Sequence, residues 1–228
     1  MKNINNIAFI VQARMNSERV PGKMLRPFAG TNLFGLLLDK LLNSSVIPRQ
    51  NILVSVHELE LVNEAKKRGI SVFNRSYESA NNDNELRKIY EWHDKIPYEY
   101  VVLISACNPL LRIGTIDDFV KKYTEQKSSG LFSVFEKKTY YWNLNGQSIT
   151  DWKGTTIMNT KVVEPIYEAG HCMYASRLDI IKDGYWMCNE NHPPNPDLFV
   201  MDEIEAFDID YEWQFKVAEL LWQQDLLK

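Results

Sequence analysis

Short apolar runs alternate with segments of helical periodicity through the first 135 residues, and this alternation constrains the fold more than any other feature. Strands that alternate with helices predict a parallel sheet with right-handed crossovers. The run at 100–105 is continuously apolar, which is typical of a central strand covered on both faces. The predicted strands are 7–11, 52–56, 71–73, 100–105 and 131–135, and the predicted helices are 33–42, 58–68, 84–94 and 115–126.

The pattern changes near residue 136. Residues 137–170 are rich in Tyr and Trp, and Asn145-Gly146 between β-prone runs predicts a hairpin. Aromatic side chains on such a lobe either mark an interface or pack back onto the parent domain. A strand near Ala206-Phe207 and a helix over 211–226 then restore the α/β pattern. We therefore expect one domain over 1–228, with 137–170 as a β-hairpin lobe that pairs two copies into a homodimer.

Composition excludes several classes of protein. The net charge of -4 and the pI near 5.7 argue against a dedicated nucleic-acid binder. The N-terminal apolar stretch is too short for a signal peptide, and no window approaches the ~18 apolar residues of a membrane-spanning helix. The cysteines are sparse and odd in number, namely Cys107, Cys172 and Cys188. We expect a cytoplasmic protein without a membrane partner.

The loop after the first predicted strand is basic. Residues 14–26 contain four cations and one anion, a local charge of +3 in an acidic protein. Open parallel sheets bind ligands at the carboxyl ends of their strands, so this loop is suited to a polyphosphate. The loop is not a Walker A motif, because Ser17 and Met24 replace its first glycine and its hydroxyl residue. It has no dinucleotide-binding glycine pattern either. The alternative to a phosphate site is a basic loop that is simply exposed to solvent.

A second charged segment lies near the C-terminus. Residues 197–212 contain seven acidic side chains and no basic one. Such runs are usually solvated surface, but Phe207-Asp208-Ile209-Asp210 alternates at strand spacing and would point both carboxylates to one face. Two carboxylates on one face are suited to Mg²⁺. We expect Asp208 and Asp210 to be its ligands.

The basic loop carries a specific motif, Ala13-Arg14-x-x-Ser17-x-Arg19-x-Pro21-x-Lys23-x-Leu25. This motif resembles the N-terminal signature of the cytidylyltransferases that activate sialic acid and related ulosonic acids, and of their spore-coat polysaccharide relatives. The resemblance implies a Rossmann-like, GT-A-like nucleotidyltransferase fold of the α/β class, mainly parallel, with a small antiparallel lobe. It also implies that the loop holds the triphosphate of CTP. The nucleotide-binding residues so implied are Ala13, Arg14, Ser17, Arg19, Lys23 and, after the third predicted strand, Arg75.

The resemblance is weaker on the side of the acceptor. Cys107-Asn108 replaces the Thr-Ser pair of the family, and Asn108 is implied at the sugar. Tyr167 and Glu168 fall in a segment that lies beside the sugar in relatives. Asp83 is interpreted as a helix N-cap. Cys107 is disfavoured as a nucleophile, because no His is near it in sequence.

These features together predict a nucleotidyltransferase that joins CMP from CTP to an acidic ulosonic sugar of the sialic, legionaminic, pseudaminic or Kdo type, with release of pyrophosphate. Arg14, Lys23 and Asp210 are the predicted catalytic residues, and no general base is assigned. The D-x-D of Asp208 and Asp210 also allows a metal-dependent glycosyltransferase that uses a nucleotide-sugar. A catalytically silent binding relative is a third hypothesis. A zinc site is a further alternative, with ligands His171, Cys172, Cys188 and His192.

Overall fold

A computed structural model describes residues 1–186 and 195–224 of the chain. The strands are β1 (Ile7–Gln12), β2 (Pro27–Phe28), β3 (Thr31–Asn32), β4 (Ile52–Val56), β5 (Ser71–Asn74), β6 (Tyr100–Ile104), β7 (Leu131–Lys137), β8 (Ile166–Arg177) and β9 (Asp197–Val200). The α-helices are α1 (Leu33–Leu42), α2 (Leu59–Lys67), α3 (Tyr77–Ala80), α4 (Leu86–Ile89), α5 (Ile113–Glu125), α6 (Leu178–Lys182) and α7 (Glu212–Gln223). Short 3₁₀ helices cover Ile4–Asn6, Arg49–Asn51, Glu91–Asp94 and Glu203–Ala206.

Seven strands form one mixed sheet in the order β5-β4-β1-β6-β8-β7-β9. Strands β5, β4, β1 and β6 are parallel neighbours, which confirms the fold class expected from the alternating pattern. Strand β8 is antiparallel to both β6 and β7, and it fills the position between them. The two-stranded β2–β3 sheet is antiparallel and separate from the main sheet.

Helices cover the main sheet on both faces. Alternate residues of β1 point to opposite sides, so that Ile7, Phe9 and Val11 pack with α1, α2 and α5. Ala8 and Ile10 face the other side, where Trp92 and helix α6 close the core. Burial on both faces explains why the first strand is a continuous apolar run.

Two predicted elements differ from the structure. The helix expected over 84–94 is divided into α4 and the 3₁₀ helix Glu91–Asp94, because Tyr90 has φ −105° and ψ 48°. The ring of Tyr90 stacks on Trp186 and packs against the buried Trp92. Packing of these rings overrides the local helical preference.

The strand expected near Ala206-Phe207 is also wrong. A 3₁₀ helix ends at Ala206, and residues 207–210 form an extended segment outside the sheet. This segment is held to the loop after β6 by the Ile209 N–H, which donates to the carbonyl of Cys107 at 3.0 Å. We call residues 207–210 the acidic segment.

The predicted hairpin is present but short. Trp142 and Ser148 form a single antiparallel bridge around the Asn145-Gly146 turn, where Gly146 has φ 77°. The ends of the predicted lobe belong to the main sheet, because β7 extends to Lys137 and β8 begins at Ile166. The lobe proper therefore covers residues 138–165.

Candidate active site

A cleft of about 730 Å³ lies at the carboxyl ends of β1, β5 and β6. The chain runs from β1 to β4 and β5 on one side and then returns to β6 on the other, so β1 and β6 flank the point where strand order reverses. Ligands of open α/β sheets bind at this point. The residues expected to bind the nucleotide all line the cleft, together with three acidic residues. The expected residues are Ala13, Arg14, Ser17, Arg19, Lys23 and Arg75, and the acidic ones are Glu18, Asp83 and Asp210.

The basic loop is fixed by buried apolar anchors. Val20 and Met24 are buried in the core, and the Met15 N–H donates to Oε1 of Glu58 at 2.9 Å. Gly22 lies between the anchors with φ 66°, a conformation that favours glycine. The Val20 N–H donates to the Ser17 hydroxyl at 3.3 Å. Buried side chains thus fix the loop on the side of the core, and polar side chains of the loop line the cleft.

Arg14 and Arg75 form one wall of the cleft. The Arg14 guanidinium is 2.9 Å from Oδ1 of Asp83 and donates to the Ala80 carbonyl at 3.4 Å. Arg75 is only 5% exposed and donates to the hydroxyl of Ser79 at 3.1 Å. Burial and the nearby charge of Arg14 lower the pKa of Arg75. Two guanidinium groups therefore lie close together on this wall.

Asp83 is not the helix N-cap that the sequence suggested. Helix α4 begins three residues later, after Glu85, which makes no side-chain cap. The Asn82 side chain instead accepts the N–H groups of Asn84 and Glu85, at 3.0 and 2.8 Å. The Asp83 side chain takes no part in this capping and pairs with Arg14 in the cleft.

Lys23 connects the basic loop to the acidic segment. Its side chain is 10% exposed, and its ammonium group donates to the carbonyl of Ile209. The same nitrogen is 3.9 Å from Oδ1 of Asp210. Burial raises the pKa of the neighbouring Cys107 thiol although the Lys23 charge opposes this shift. A protonated thiol is a poor nucleophile, which agrees with the low expectation for covalent catalysis at Cys107.

The acidic segment alternates as its sequence suggested, although it is not a strand. Ile209 is fully buried beside α7 and Phe28, and Phe207 packs against the same cluster. Asp210 lines the cleft, and Oδ1 of Asp208 is buried without a hydrogen-bond partner. Burial and the charge of Asp210 raise the pKa of Asp208, with Lys23 acting in the opposite direction.

Gln214 positions the backbone of this segment, and sequence reasoning missed it. Its Oε1 accepts the N–H groups of Asp210 and Tyr211, each at 2.7 Å, at the start of α7. A Gln four residues after the second aspartate, at the first turn of a predicted helix, was the available signal.

The residues expected at the acceptor sugar do not line the cleft. Asn108 is buried, its amide donates to the Ala206 carbonyl at 3.0 Å, and its Oδ1 is buried without a partner. Glu168 lines a second cavity of about 650 Å³ together with Asp202, Glu203, Phe207 and Gln214. Tyr167, next to Glu168 on β8, is 45% exposed. The acidic segment separates the two cavities, since Phe207 lines the second and Asp210 the first.

The zinc alternative is only partly within the described residues, because Cys188 and His192 lie outside them. Cys172 is buried, and its sulfur contacts the Met201 sulfur at 3.4 Å and the Ser133 hydroxyl at 3.3 Å. His171 and the Tyr174 hydroxyl share a hydrogen bond of 2.7 Å. Across residues 1–186 and 195–224, no group of three or more His, Cys, Asp or Glu side chains is arranged to hold a metal.

Comparison with known proteins identifies the family. The family model described as cytidylyltransferase matches residues 8–176, which is most of the chain and includes the basic loop, β1 and β6. The chain belongs to the cytidylyltransferase family.

Curated relatives differ in how much of them the chain covers. It is 27% identical over 131 residues to the spore coat polysaccharide biosynthesis protein SpsF of Bacillus subtilis (strain 168), covering 55% of this chain and 52% of that protein. It is 31% identical to N-acylneuraminate cytidylyltransferase B of Danio rerio over 59% of this chain and 32% of that protein. The match with the post-translational flagellin modification protein B of Campylobacter coli is 23% identical and spans 99% and 98% of the two chains. The chain thus spans about half or less of the first two relatives.

Solved structures share the fold. CMP:2-keto-3-deoxy-manno-octonic acid synthetase, complexed with CTP, superposes with a TM-score of 0.71 at 11% identity, over 97% of this chain and 100% of that one. The 4-diphosphocytidyl-2C-methyl-D-erythritolsynthase of Anaerococcus prevotii gives a TM-score of 0.67 at 10% identity, over 95% and 98% of the two chains. The Rossmann-like nucleotidyltransferase fold is therefore confirmed. None of the helices in the described part of the chain combines the length and the apolar character needed to cross a membrane.

Proposed function

We propose that this protein transfers CMP from CTP to an acidic ulosonic sugar and releases pyrophosphate. The observation that carries the proposal is the arrangement of charges in the cleft. Arg14, Arg19 and Lys23, from one loop, line the cleft at the point where strand order reverses, and Asp210 pairs there with Arg19 and Lys23. Membership of the cytidylyltransferase family supports CTP as the nucleotide.

The basic loop would hold the triphosphate. Arg14, Arg19 and Lys23 are positioned to neutralise phosphate charge, and the Ser17 hydroxyl and the backbone from Ala13 onward face the same space. The leaving pyrophosphate carries away most of the charge, so fixed cations stabilise it without reorganising. Arg75 would contact the nucleotide from the wall that it shares with Arg14.

The acidic segment fits a magnesium ion. Asp208 offers a buried oxygen that has no partner, and Asp210 offers a second carboxylate on the same segment. Mg²⁺ typically takes one or two protein carboxylates and completes its coordination with substrate phosphates and waters. When bound, Mg²⁺ would supply charge neutralisation at the reacting phosphate. Asp208 and Asp210 would hold it, and Gln214 would fix the backbone that presents Asp210.

The acceptor would approach from the side of the second cavity. Glu168 lies there and Tyr167 is its neighbour on β8, while buried Asn108 ties the loop after β6 to Ala206 between the two cavities. One relative is named for an acidic sugar, N-acylneuraminate, and one structure of the same fold is named for another, 2-keto-3-deoxy-manno-octonic acid. Both are ulosonic acids, and we extend the proposed acceptor to the class that includes the sialic, legionaminic, pseudaminic and Kdo types.

The lobe would mediate homodimerisation. Large apolar side chains are exposed on it and at its junction with β8, namely Trp142, Leu144, Ile149, Ile157, Met158, Val162, Ile166 and Tyr167. Tyr140, by contrast, is buried and packs on Trp152, so part of the aromatic set belongs to the lobe's own core. Light scattering of the intact protein and of a Leu144→Ser, Ile157→Ser variant should give a dimer and a monomer; two monomers would refute the interface.

Pyrophosphate release tests the proposed reaction. The protein is incubated with CTP, Mg²⁺ and each of a panel of ulosonic acids, and the product mass is determined. A CMP-sugar with one of these acids is the expected result. Sugar transfer from a UDP- or GDP-sugar, with release of the nucleoside diphosphate and no reaction with CTP, would support a glycosyltransferase. Binding of CTP without turnover on any acid would support the silent relative.

A further inference from the structure

The proposed metal ligand Asp210 is already bonded to two cations of the basic loop. Nη2 of Arg19 is 2.6 Å from Oδ1 of Asp210, and Nζ of Lys23 is 3.9 Å from the same oxygen. The Arg19 guanidinium also lies 5.2 Å from the centre of the Tyr211 ring. Arg19 is thus held over the acidic segment by a carboxylate and an aromatic ring on consecutive residues.

These contacts compete with the binding of both the divalent cation and the triphosphate that we propose for the cleft. A carboxylate oxygen that accepts a short bond from a guanidinium is a poor ligand for a divalent cation, which the adjacent positive charges also repel. Phosphate oxygens in the cleft would compete with the Asp210 carboxylate for the same charged groups of Arg19 and Lys23. Arg19 and Lys23 therefore affect both the binding of the cation to Asp210 and the binding of the triphosphate to the basic loop.

We propose that the Arg19–Asp210 ion pair, with Lys23 beside it, is a latch that the triphosphate opens. Phosphate oxygens take over Arg19 and Lys23, and Asp210 becomes available to the cation. The protein then binds the divalent cation weakly by itself and strongly together with CTP. This inference rests on the proposed function, because it takes Asp210 as a metal ligand, and it adds an order of assembly.

The ion pair has a matched counterpart that makes a control. Arg26 donates two hydrogen bonds to Glu212, at 2.7 and 2.8 Å, and its guanidinium lies 4.2 Å from the centre of the Phe215 ring. It belongs to the same loop and has the same kind of partners, an acid and a ring from the C-terminal region. It does not line the cleft.

The test measures binding of Mn²⁺, as a probe for Mg²⁺, to the nucleotide-free protein by electron paramagnetic resonance. Arg19→Gln should bind Mn²⁺ about fivefold more tightly than the wild type, the effect of one partly exposed ion pair. Arg26→Gln should bind it as the wild type does. Circular dichroism melting checks that both variants are folded. Equal Mn²⁺ affinity of Arg19→Gln and the wild type would overturn the latch.

Failure of the underlying metal site has a different signature. With a CTP analogue that carries a methylene group between the α- and β-phosphorus atoms, Asp210→Asn should lose at least tenfold in Mn²⁺ affinity relative to the wild type. If Asp210→Asn binds Mn²⁺ normally with the analogue, the metal assignment is wrong and the latch falls with it. If Asp210→Asn weakens binding but Arg19→Gln does not strengthen it, the metal assignment stands and only the latch is wrong.

Discussion

The two cavities on either side of the acidic segment are built differently. The first takes three of its four cations, Arg14, Arg19 and Lys23, from one contiguous loop whose Val20 and Met24 are buried, and the fourth, Arg75, follows β5. The second is lined by residues from distant parts of the chain, and its charged lining residues Glu168, Asp202 and Glu203 are all acidic. A polyanion suits the first cavity and is repelled by the second. The sugar's own carboxylate should therefore face the cleft and the proposed cation site, while its uncharged hydroxyl-bearing part faces Glu168.

The largest expected effect comes from Asp210, in the acidic segment that separates the two cavities. Asp210→Asn should reduce Mg²⁺-dependent pyrophosphate release by about a thousandfold, because charge stabilisation at the reacting phosphate is lost. Steady-state kinetics with a saturating acceptor measure this change. Glu212→Gln is the control, since Glu212 pairs with Arg26 outside the cleft. Near-normal turnover of Asp210→Asn would show that the proposed metal site at Asp210 is wrong.

The next effect concerns Lys23, the most buried cation of the basic loop. Lys23→Met should lower kcat/KM for CTP by about a hundredfold, as expected for one fixed donor to a developing charge. The matched control is Lys67→Met on α2, where the Lys67 side chain is 71% exposed. A thermal melt of each variant shows whether folding has changed. A loss in stability with unaltered kcat/KM would make Lys23 a structural residue only.

A smaller pair of effects tests whether the cavities serve different substrates. Arg14→Gln should raise KM for CTP several-fold and leave KM for the sugar unchanged, since Arg14 lines only the first cavity. Glu168→Gln should do the reverse, because Glu168 lines only the second. Initial rates with one substrate varied and the other saturating separate the two constants. Equal changes of both constants in either variant would mean that the cavities do not divide the substrates.

The last and smallest effect is on folded stability, and it concerns Lys40, which holds the loop after β6. Nζ of Lys40 donates to the carbonyls of Pro109 and Leu111, at 2.6 Å each, and burial lowers its pKa to about 8. The unfolded chain therefore binds more protons than the folded one between pH 8 and about 10.4, so folded stability rises with pH in that window.

Lys40→Met lacks this titration. From pH 7.5 to 10, the free energy of unfolding of the wild type should gain roughly 1 to 2 kcal/mol relative to the variant. Urea denaturation at several pH values gives both curves. Parallel curves across this range would contradict the burial of a charged Lys40.

The sequence predicted the first cavity far better than the second. A buried strand followed by a dense basic motif defines a local structure, and its side chains reach the cleft together because they share one loop. The alternation of apolar and acidic residues over 207–210 predicted that Phe207 and Ile209 share one apolar cluster. The segment is nevertheless no strand, because its backbone is bonded to Cys107 through a single N–H, that of Ile209.

The second cavity could not be assembled from local patterns. It depends on β8, whose antiparallel insertion between β6 and β7 is a tertiary event that no short-range signal specifies. The same limit applies to the pairing of Asp83 with Arg14, which are far apart in the chain. Asp83 looked like a cap because only its neighbours in sequence were visible.

A crystal structure with the methylene-bridged CTP analogue and Mg²⁺ tests the central claim most directly. We predict the triphosphate against Arg14, Arg19 and Lys23, and Arg19 detached from Asp210. We also predict the cation between the phosphates and the carboxylates of Asp208 and Asp210. A nucleotide bound away from the basic loop, or a triphosphate in the cleft with its cation remote from both aspartates, would contradict it.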